Sequence, residues 1–196
     1  IVATGKRPRP LGVPGETELR GKGVSYCALC DAPLYHGAAV AVIGGGNAGL
    51  QAAYDLLGLA REVHLLTDRL TADEVLRRRV LGDPRLVLHE GWTVKAILGE
   101  EAVRGLVAAD GAGREKELEV EGIFVEIGLL PNSEVVEEAV ARNEAGEIVV
   151  DCACRTNLPG LLAAGDVTSA CGKQIVIAAG EGAKAALAAA DYLAFG

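Results

Sequence analysis

Short apolar runs flank an amphipathic stretch in the first half of the chain. Residues 38–43 consist only of Ala, Val and Ile, a composition that predicts a buried parallel strand. Residues 47–57 repeat their apolar positions at helical spacing and are followed by Gly58, a residue type that often ends a helix. A second apolar run lies at 63–66. Together these segments predict a compact βαβ unit.

Outside this unit the pattern predicts shorter elements and one long helix. Thr71 and Glu74 have the spacing of a capping box, so a helix is expected from about 72 to 81. Short strands are expected to form an antiparallel meander at 86–89, 94–98, 103–108 and 117–120, followed by an apolar strand at 122–127. Toward the chain ends we expect strands at 1–5, 148–151 and 160–164, a helix at 134–142 and an Ala-rich helix at 175–193.

The composition is that of an ordinary soluble globular protein. Hydrophobic residues make up 50% of the chain and charged residues 23%. The net charge of -8 argues against a nucleic-acid partner, which usually requires a basic face. No run approaches the roughly 18 to 20 uncharged apolar residues of a membrane span, and the first residues do not resemble a secretory signal. We therefore expect a cytoplasmic protein with no membrane and no nucleic-acid partner.

The start of the sequence is unusual. The 196 residues contain no Met, and the chain opens directly on an apolar run. These two features lead us to expect the C-terminal portion of a longer protein. Simple removal of an initiator Met is the alternative.

A glycine-rich hexapeptide joins the first predicted strand to the first predicted helix. It fits the pattern G-x-G-x-x-G with Gly44, Gly45, Gly46, Asn47, Ala48 and Gly49. In a strand–loop–helix context the first glycine allows a tight turn, the second lets the backbone approach a pyrophosphate, and the third allows close packing. The start of the helix then offers N–H groups to the phosphates. This loop predicts dinucleotide binding; a glycine-rich turn without a ligand is the alternative.

The residue after the second strand bears on which nicotinamide nucleotide binds. Asp68 follows the first glycine by 24 residues, close to the position of about 20 residues onward where a carboxylate accepts hydrogen bonds from the ribose hydroxyls and repels a 2′-phosphate. Arg69 argues weakly for the phosphate, and so does the run 77–79, although such a run is more often a solvated helix face. We expect NADH, with NADPH less favoured.

Two of the five cysteines form a C-x-x-C pair, Cys27 and Cys30, followed at once by Asp31. In an intracellular α/β chain this spacing predicts a redox-active disulfide. Such pairs often begin a helix, where the helix dipole lowers a thiol pKa. Asp31 is placed to donate or accept the proton while the thiols cycle.

The other potential metal ligands show no comparable motif. A four-cysteine zinc site with Cys152 and Cys154 is the alternative role for the C-x-x-C pair, but C-x-C so far along the chain is not usual zinc spacing. We therefore expect no metal, and free thiols at Cys152, Cys154 and Cys171. The histidines show no pairing pattern and are expected to be structural or surface residues, namely His36, His64 and His89.

Taken together, these motifs resemble a known family. Residues 27–31, 42–47 and 165–166 occur in the order and spacing of the low-molecular-weight thioredoxin reductases. Residues 123–132 and 173–184 resemble, more closely, the flavoprotein subunit of alkyl hydroperoxide reductase. The resemblance covers essentially the whole chain. The N-terminal FAD-binding βαβ unit of that family, with its own glycine motif, is not among these residues.

The resemblance implies an α/β fold of two Rossmann-like domains. Residues 8–130 would form the NAD(P)H-binding domain, a βαβ unit plus an antiparallel meander, which carries the redox pair. Residues 1–7 and 131–196 would be the C-terminal part of the FAD-binding domain, with hinges near 12–15 and 128–131. The resemblance adds further cofactor-binding residues, which are Ile127, Gly128, Thr4, Gly5, Gly165, Asp166, Gln174 and Ile175.

The function implied is that of a flavin-dependent disulfide reductase. Electrons would pass from NADH through FAD to the Cys27–Cys30 disulfide, and then to a thioredoxin-like domain or a peroxiredoxin. The intact parent would be a homodimer. The alternatives are an NAD-linked flavin oxidoreductase without cysteine chemistry and a non-enzymatic, zinc-stapled nucleotide-binding module.

Overall fold

The computed structural model describes residues 1–195 and contains ten strands and four α-helices in that part of the chain. The strands are β1 (Lys6–Pro8), β2 (Val24–Ser25), β3 (Ala39–Ile43), β4 (Glu62–Thr67), β5 (Leu86–Glu90), β6 (Trp92–Gly99), β7 (Val103–Asp110), β8 (Glu115–Leu118), β9 (Gly122–Val125) and β10 (Leu129–Pro131). The helices are α1 (Ala28–Asp31), α2 (Asn47–Leu57), α3 (Glu74–Val80) and α4 (Ile175–Phe195).

The chain forms two compact units. The inserted unit is Arg9–Gly128, and the terminal unit consists of Ile1–Pro8 together with the chain from Leu129 onward. The chain therefore enters and leaves the inserted unit once each. Which cofactor each unit binds stays a prediction.

A five-stranded parallel sheet forms the centre of the inserted unit. Its strand order is β2-β9-β3-β4-β5. The predicted βαβ unit is confirmed as β3, α2 and β4. The strand predicted at 86–89 was assigned to the antiparallel meander, and this was wrong. It is β5, which pairs in parallel with β4, because α3 intervenes and provides the crossover that parallel neighbours need.

The parallel sheet is covered on both faces. Val40 and Val42 of β3 pack with apolar side chains of α2. Ala41 and Ile43 face the opposite way and pack with side chains of β6 and β7. Because β6, β7 and β8 form a three-stranded antiparallel sheet, the predicted meander is confirmed for these three strands. Burial on both faces explains why β3 reads as a continuous apolar run.

The start of α3 differs from the capping-box prediction. The N–H groups of Thr71 and Ala72 donate to the Gly45 carbonyl at 2.8 and 3.0 Å instead of entering a helix. Asp73, the residue at the N-cap of α3, exchanges two hydrogen bonds with Asn47 at 2.7 and 2.8 Å. The segment before α3 is therefore bound to the glycine loop, and the helix begins after it.

In the terminal unit several predicted elements do not form. The helix expected at 134–142 is a single 3-10 turn, Glu134–Val136. The chain beyond this turn is bound from elsewhere, since the Ala141 N–H donates to Asn157 Oδ1 at 2.7 Å and its carbonyl accepts from the Val149 N–H at 2.9 Å. These bonds replace the ones a helix would need.

The strands expected at the chain ends are reduced to isolated bridges. Val2 pairs in parallel with Ala163, and Ile148 forms isolated bridges with Arg142 and Thr168. Residues 1–5 do not continue as a strand, because Gly5 has a φ of +68° that bends the chain. The segments 1–5, 148–151 and 160–164 therefore do not form continuous strands, and the prediction of strands there was wrong.

The long C-terminal helix is confirmed as α4, which begins at Ile175 as predicted. Its many alanines and its central glycines give it a narrow profile along much of its length. None of the helices in residues 1–195 combines the length and the apolar character that a bilayer crossing requires.

Candidate functional site

The C-x-x-C pair forms a closed disulfide at the start of a helix. Cys27 is the N-cap residue of α1 and is bonded to Cys30, with their Cα atoms 5.3 Å apart. The N–H groups of Cys30 and Asp31 both donate to the Cys27 carbonyl at 3.1 Å. Cys27 is half-buried and Cys30 is exposed. The predicted disulfide and its position at a helix start are therefore present, and Cys30 is the more exposed of its two residues.

A buried serine holds the residue that follows the pair. The Ser25 hydroxyl donates to Asp31 Oδ2 at 2.6 Å and accepts from the Cys27 N–H at 3.1 Å. Ser25 is only 6% exposed, whereas Asp31 is half-buried. One hydroxyl thus joins the carboxylate of Asp31 to the backbone of the redox pair. Sequence reasoning missed Ser25; its signal was a serine two residues before the motif, a position from which serine often binds nearby backbone.

A buried carboxylate anchors the other side of the pair. Glu16 is 4% exposed and accepts hydrogen bonds from the N–H groups of Leu11 and Gly12 and from the Tyr26 hydroxyl at 2.7 to 2.8 Å. Burial alone would raise the pKa of Glu16, but these hydrogen bonds outweigh it and the pKa lies below its ordinary value. Burial, and then Glu16, raise the pKa of Tyr26 to about 12. Glu16 therefore binds the residue next to Cys27 to the preceding loop.

Replacing Glu16 with Gln is expected to lower the free energy of unfolding by about 2 kcal/mol at neutral pH, because charged hydrogen bonds are lost from a buried site. Its lowered pKa means that the stabilisation is complete above the ordinary value of 4.5 and is lost as the pH falls through the folded-state pKa. Urea unfolding should therefore show wild type and variant converging in acid. The exposed Glu18→Gln serves as the control, and an equal effect there would contradict this role.

The glycine loop has the close contacts that its motif predicts. Gly44 has a φ of +143°, and a Cβ there would lie 2.3 Å from the Glu126 carbonyl oxygen. A Cβ on Gly49 would lie 2.0 Å from the Gly44 carbonyl oxygen. Gly46 is different, since the nearest atom to a Cβ there is Thr71 Oγ1 at 3.8 Å. Packing within the protein therefore leaves no room for a side chain at Gly44 or Gly49, whereas the space beside Gly46 is free.

That space opens into a cavity of about 600 Å³ in the inserted unit, a volume typical of sites for small ligands. The residues predicted to bind the nucleotide that line it are Gly44, Gly45, Gly46, Asn47, Ala48, Asp68, Ile127 and Gly128. Gly49 and Arg69 do not line it. Gly49 lies in the first turn of α2, and the Arg69 carbonyl accepts a hydrogen bond from Thr67 at 2.9 Å. The cavity thus lies at the carboxyl ends of the parallel strands, the usual ligand position in such sheets.

One carboxyl group touches both features. Glu126 lines the cavity, and its Oε1 accepts a hydrogen bond of 3.4 Å from the Ala28 N–H at the start of α1. Burial raises the pKa of this half-buried carboxyl group, and the Ala28 hydrogen bond partly offsets that effect. Sequence reasoning gave Glu126 no role, although an acidic residue in an otherwise apolar strand end was the available signal.

In the terminal unit, two segments predicted to bind FAD end side by side. Val2 and Ala163 form a parallel bridge. The residues that follow Val2 and those that follow Ala163 therefore lie at the same end of this bridge. The Gly165 N–H donates to Oε2 of the buried Glu181 at 3.2 Å, which fixes this turn. The residues at this end are Thr4, Gly5, Gly165 and Asp166. Gln174 and Ile175 are exposed where α4 begins.

Residues 1–187 match the protein family described as Pyridine nucleotide-disulphide oxidoreductase. The chain belongs to this family. The resemblance that the motifs indicated is thus confirmed, as is the α/β fold class.

Individual relatives support the same conclusion. The chain is 50% identical over 197 residues to an alkyl hydroperoxide reductase subunit of Pseudomonas aeruginosa, and 48% identical over 196 residues to the NADH dehydrogenase of Bacillus subtilis. Each comparison covers 98% of this chain and 38% of the relative. The thioredoxin reductase structure from Streptococcus pyogenes has a TM-score of 0.88 at 31% identity, covering 98% of this chain and 64% of that one. The chain thus spans less than half the length of its sequence relatives.

Two of the histidines that were expected to be structural or surface residues are in contact. His64 Nδ1 lies 3.1 Å from His89 Nε2, and the two rings stack with centroids 5.3 Å apart. Lys116 Nζ lies 2.5 Å from His89 Nδ1. Burial, followed by Lys116 and His64, lowers the pKa of His89 to about 4, so its ring is neutral at pH 7. The sequence spacing did not show this contact, because the parallel pairing of β4 and β5 brings together residues distant in sequence.

The cysteines do not form the alternative zinc site. Among the described residues, no group of three or more His, Cys, Asp and Glu side chains is arranged to hold a metal ion. Cys152 and Cys171 are exposed free thiols, and Cys154 is a buried one whose Sγ contacts the Glu181 carbonyl oxygen at 3.5 Å. Burial raises the pKa of the Cys154 thiol, so this cysteine is a poor nucleophile.

Proposed function

We propose that this chain is the nucleotide-binding and disulfide-carrying part of a flavin-dependent disulfide reductase that takes its electrons from NADH. The observation that carries the proposal is the juxtaposition within the inserted unit. The Cys27–Cys30 disulfide lies at the start of α1, and the glycine loop lines the cavity. Glu126 lines the same cavity and accepts a hydrogen bond from the Ala28 N–H at the start of α1. A nucleotide-binding fold without redox chemistry has no need of this arrangement.

The inserted unit would bind NADH. The start of α2 and the backbone at Gly46 would receive the pyrophosphate, since a helix N-terminus favours anions and the missing side chain leaves room. Asp68, exposed on the cavity wall, would accept hydrogen bonds from the adenosine ribose. Its negative charge disfavours a phosphate on that ribose.

Asp68→Ala is expected to weaken NADH binding roughly tenfold, the scale of one lost hydrogen bond to a charged group. NADPH binding should weaken less or improve, because a repulsive charge is removed. Calorimetric titration of both nucleotides measures the ratio. Glu115→Ala, which removes an exposed carboxylate outside the cavity, should leave the ratio unchanged. Tighter binding of NADPH than NADH by the unaltered chain would refute the assignment.

The terminal unit would contact FAD through the residues at its common end. The half-buried carboxylate of Asp166 suits the hydroxyls of a ribityl chain, and the exposed apolar side chain of Ile175 suits an aromatic ring edge. Thr4, Gly5, Gly165 and Gln174 would complete the contacts. When bound, FAD supplies the two-electron chemistry that links NADH to a disulfide.

The residues of the chain then account for the thiol chemistry. Two electrons and two protons convert the Cys27–Cys30 disulfide to two thiols. One thiolate attacks a disulfide sulfur of the partner and releases its other sulfur as a thiolate; the second cysteine then attacks the mixed disulfide, which restores the Cys27–Cys30 bond and frees the reduced partner. Asp31, held by Ser25, would accept and return the proton of the adjacent thiol.

The electron acceptor would be a thioredoxin-like domain or a peroxiredoxin. Cys30 is exposed, and the neighbouring Leu29 and Leu34 are 67% and 78% exposed, which favours contact with a protein surface. The name of the Pseudomonas aeruginosa relative points to hydroperoxide reduction. We also propose that the intact protein is a cytoplasmic homodimer.

A second candidate function is NAD-linked flavin oxidoreduction without cysteine chemistry. The observation that favours it is the relative from Bacillus subtilis, which is named as an NADH dehydrogenase. This function would use the same nucleotide cavity and leave Cys27–Cys30 without a role.

Thiol counting in the presence of FAD and NADH tests the main proposal. The chain has five cysteines, of which three are free. Denatured samples should therefore show three thiols before anaerobic addition of NADH and five after it, while the visible flavin band bleaches. Bleaching with three thiols remaining would favour the second candidate. Absence of NADH binding would contradict both.

A further inference from the structure

The single tryptophan of the chain lies in the nucleotide cavity. Trp92 begins β6 directly after the turn at Gly91, which has a φ of +77°. It is half-buried and lines the cavity together with Thr93 and Asp68. A large aromatic side chain at a ligand cavity offers a flat apolar surface that water solvates poorly. Nothing in the glycine motif requires it.

Neighbouring side chains hold the indole in place. Lys116 Nζ lies 4.1 Å from the ring centroid of Trp92, within the range of a cation–π contact. Lys116 is bound in turn to His89, which is 8% exposed and contacts His64. The indole also packs against the apolar core beneath β6 and β7. Its orientation is therefore set before any ligand arrives.

The order of the strands identifies the half of a dinucleotide that reaches this wall. A Rossmann sheet binds its ligand in two mononucleotide halves on either side of the first strand, which here is β3. The adenosine half lies on the side of the next two strands, β4 and β5. Asp68 follows β4 and Trp92 follows β5. Glu126, Ile127 and Gly128 lie on the opposite side, after β9.

We propose that Trp92 is the adenine-binding residue of the nucleotide site, with Lys116 as the positioning residue that holds its ring. The adenine base would pack against the part of the indole that faces the cavity. The inference rests on the proposed NADH site. It assigns the adenine end of that site to a cluster, Trp92, Lys116 and His89, that lies outside the glycine motif.

Fluorescence of the wild-type chain tests the contact directly, since Trp92 is the one tryptophan in the sequence. NADH and ADP-ribose, which share the adenosine half, should both quench it; nicotinamide mononucleotide at the same concentration should not. Calorimetry measures binding independently. ADP-ribose that binds without changing the fluorescence would overturn the inference and leave the nucleotide site intact. Absence of binding by both NADH and ADP-ribose would overturn the site and the inference together.

Variants measure how much the contact contributes. Trp92→Ala should weaken ADP-ribose binding by roughly tenfold or more, the scale of losing one base–aromatic contact, whereas Trp92→Phe should stay within a few-fold of wild type. Tyr54→Ala is a matched control, because Arg79 lies 5.0 Å over that ring in the same way but outside the cavity. Thermal melting checks folding. Wild-type affinity in a folded Trp92→Ala chain would overturn the inference.

Discussion

Replacing Cys27 and Cys30 with Ser is expected to abolish NADH-dependent reduction of a partner disulfide, a loss of roughly a thousandfold or more, as when an enzyme loses its nucleophile. Reduction of an artificial one-electron acceptor such as ferricyanide should continue, because it needs no thiol. We expect the two activities to separate because the disulfide and the cavity involve different residues. The disulfide is the only cysteine pair bonded in the described residues, and the cavity at the glycine loop, where NADH binding is proposed, is lined by neither cysteine.

Single variants and surface controls sharpen this test. With Cys27 or Cys30 alone replaced, the remaining thiol is expected to form a mixed disulfide with the partner that is not resolved, and mass spectrometry identifies the linked cysteine. Cys152→Ser and Cys171→Ser remove exposed thiols elsewhere and should change nothing. Partner reduction that survives in the double variant would support flavin oxidoreduction without cysteine chemistry.

Gly46→Val is expected to remove NADH binding, by roughly a hundredfold or more, while the chain stays folded. The backbone at Gly46 has a φ of -87°, which valine adopts, and a Cβ there meets no protein atom closer than 3.8 Å. The valine side chain would instead occupy the space through which a pyrophosphate approaches the backbone. Calorimetry gives the affinity, and thermal melting gives the stability.

Two other glycines provide the comparison. Gly111, in the turn between β7 and β8, also has open space around its Cβ position, so Gly111→Val should keep both stability and binding. Gly49→Val should destabilise the fold, because its Cβ would lie 2.0 Å from the Gly44 carbonyl oxygen. If Gly46→Val binds NADH as wild type does, the glycine loop is not the nucleotide site.

Elements that depend on neighbours along the chain could be predicted from the residues alone. The helix Asn47–Leu57 begins and ends where the glycines and the helical spacing indicate, because its hydrogen bonds and caps are local. Cys27 and Cys30 close into a disulfide because three residues of a helical turn already bring them together. Family membership followed from the same local motifs and their order.

Features that depend on residues far apart in sequence could not be predicted in this way, because they form only when the chain folds. A short apolar run such as Leu86–Glu90 does not specify whether its neighbour is parallel or antiparallel, and the crossover through α3 made that choice. The start of α3 depended on the Gly45 carbonyl and Asn47, which capture the residues before it. In the terminal unit, apolar segments form isolated bridges in place of continuous strands, since their backbone groups bind other segments.

The candidate site divides in the same way. Its glycines, its cysteines and Asp68 could be predicted from the sequence, because each motif needs a particular residue type at a fixed spacing. Ser25, Glu126 and Trp92 act through contacts with Asp31, Ala28 and Lys116 that chain folding creates. Hydrogen bonds and ring contacts operate over a few ångströms in space and carry no fixed spacing in sequence. The motifs therefore identified the residues of the candidate site, and the packing of strands and helices determined which other side chains contact them.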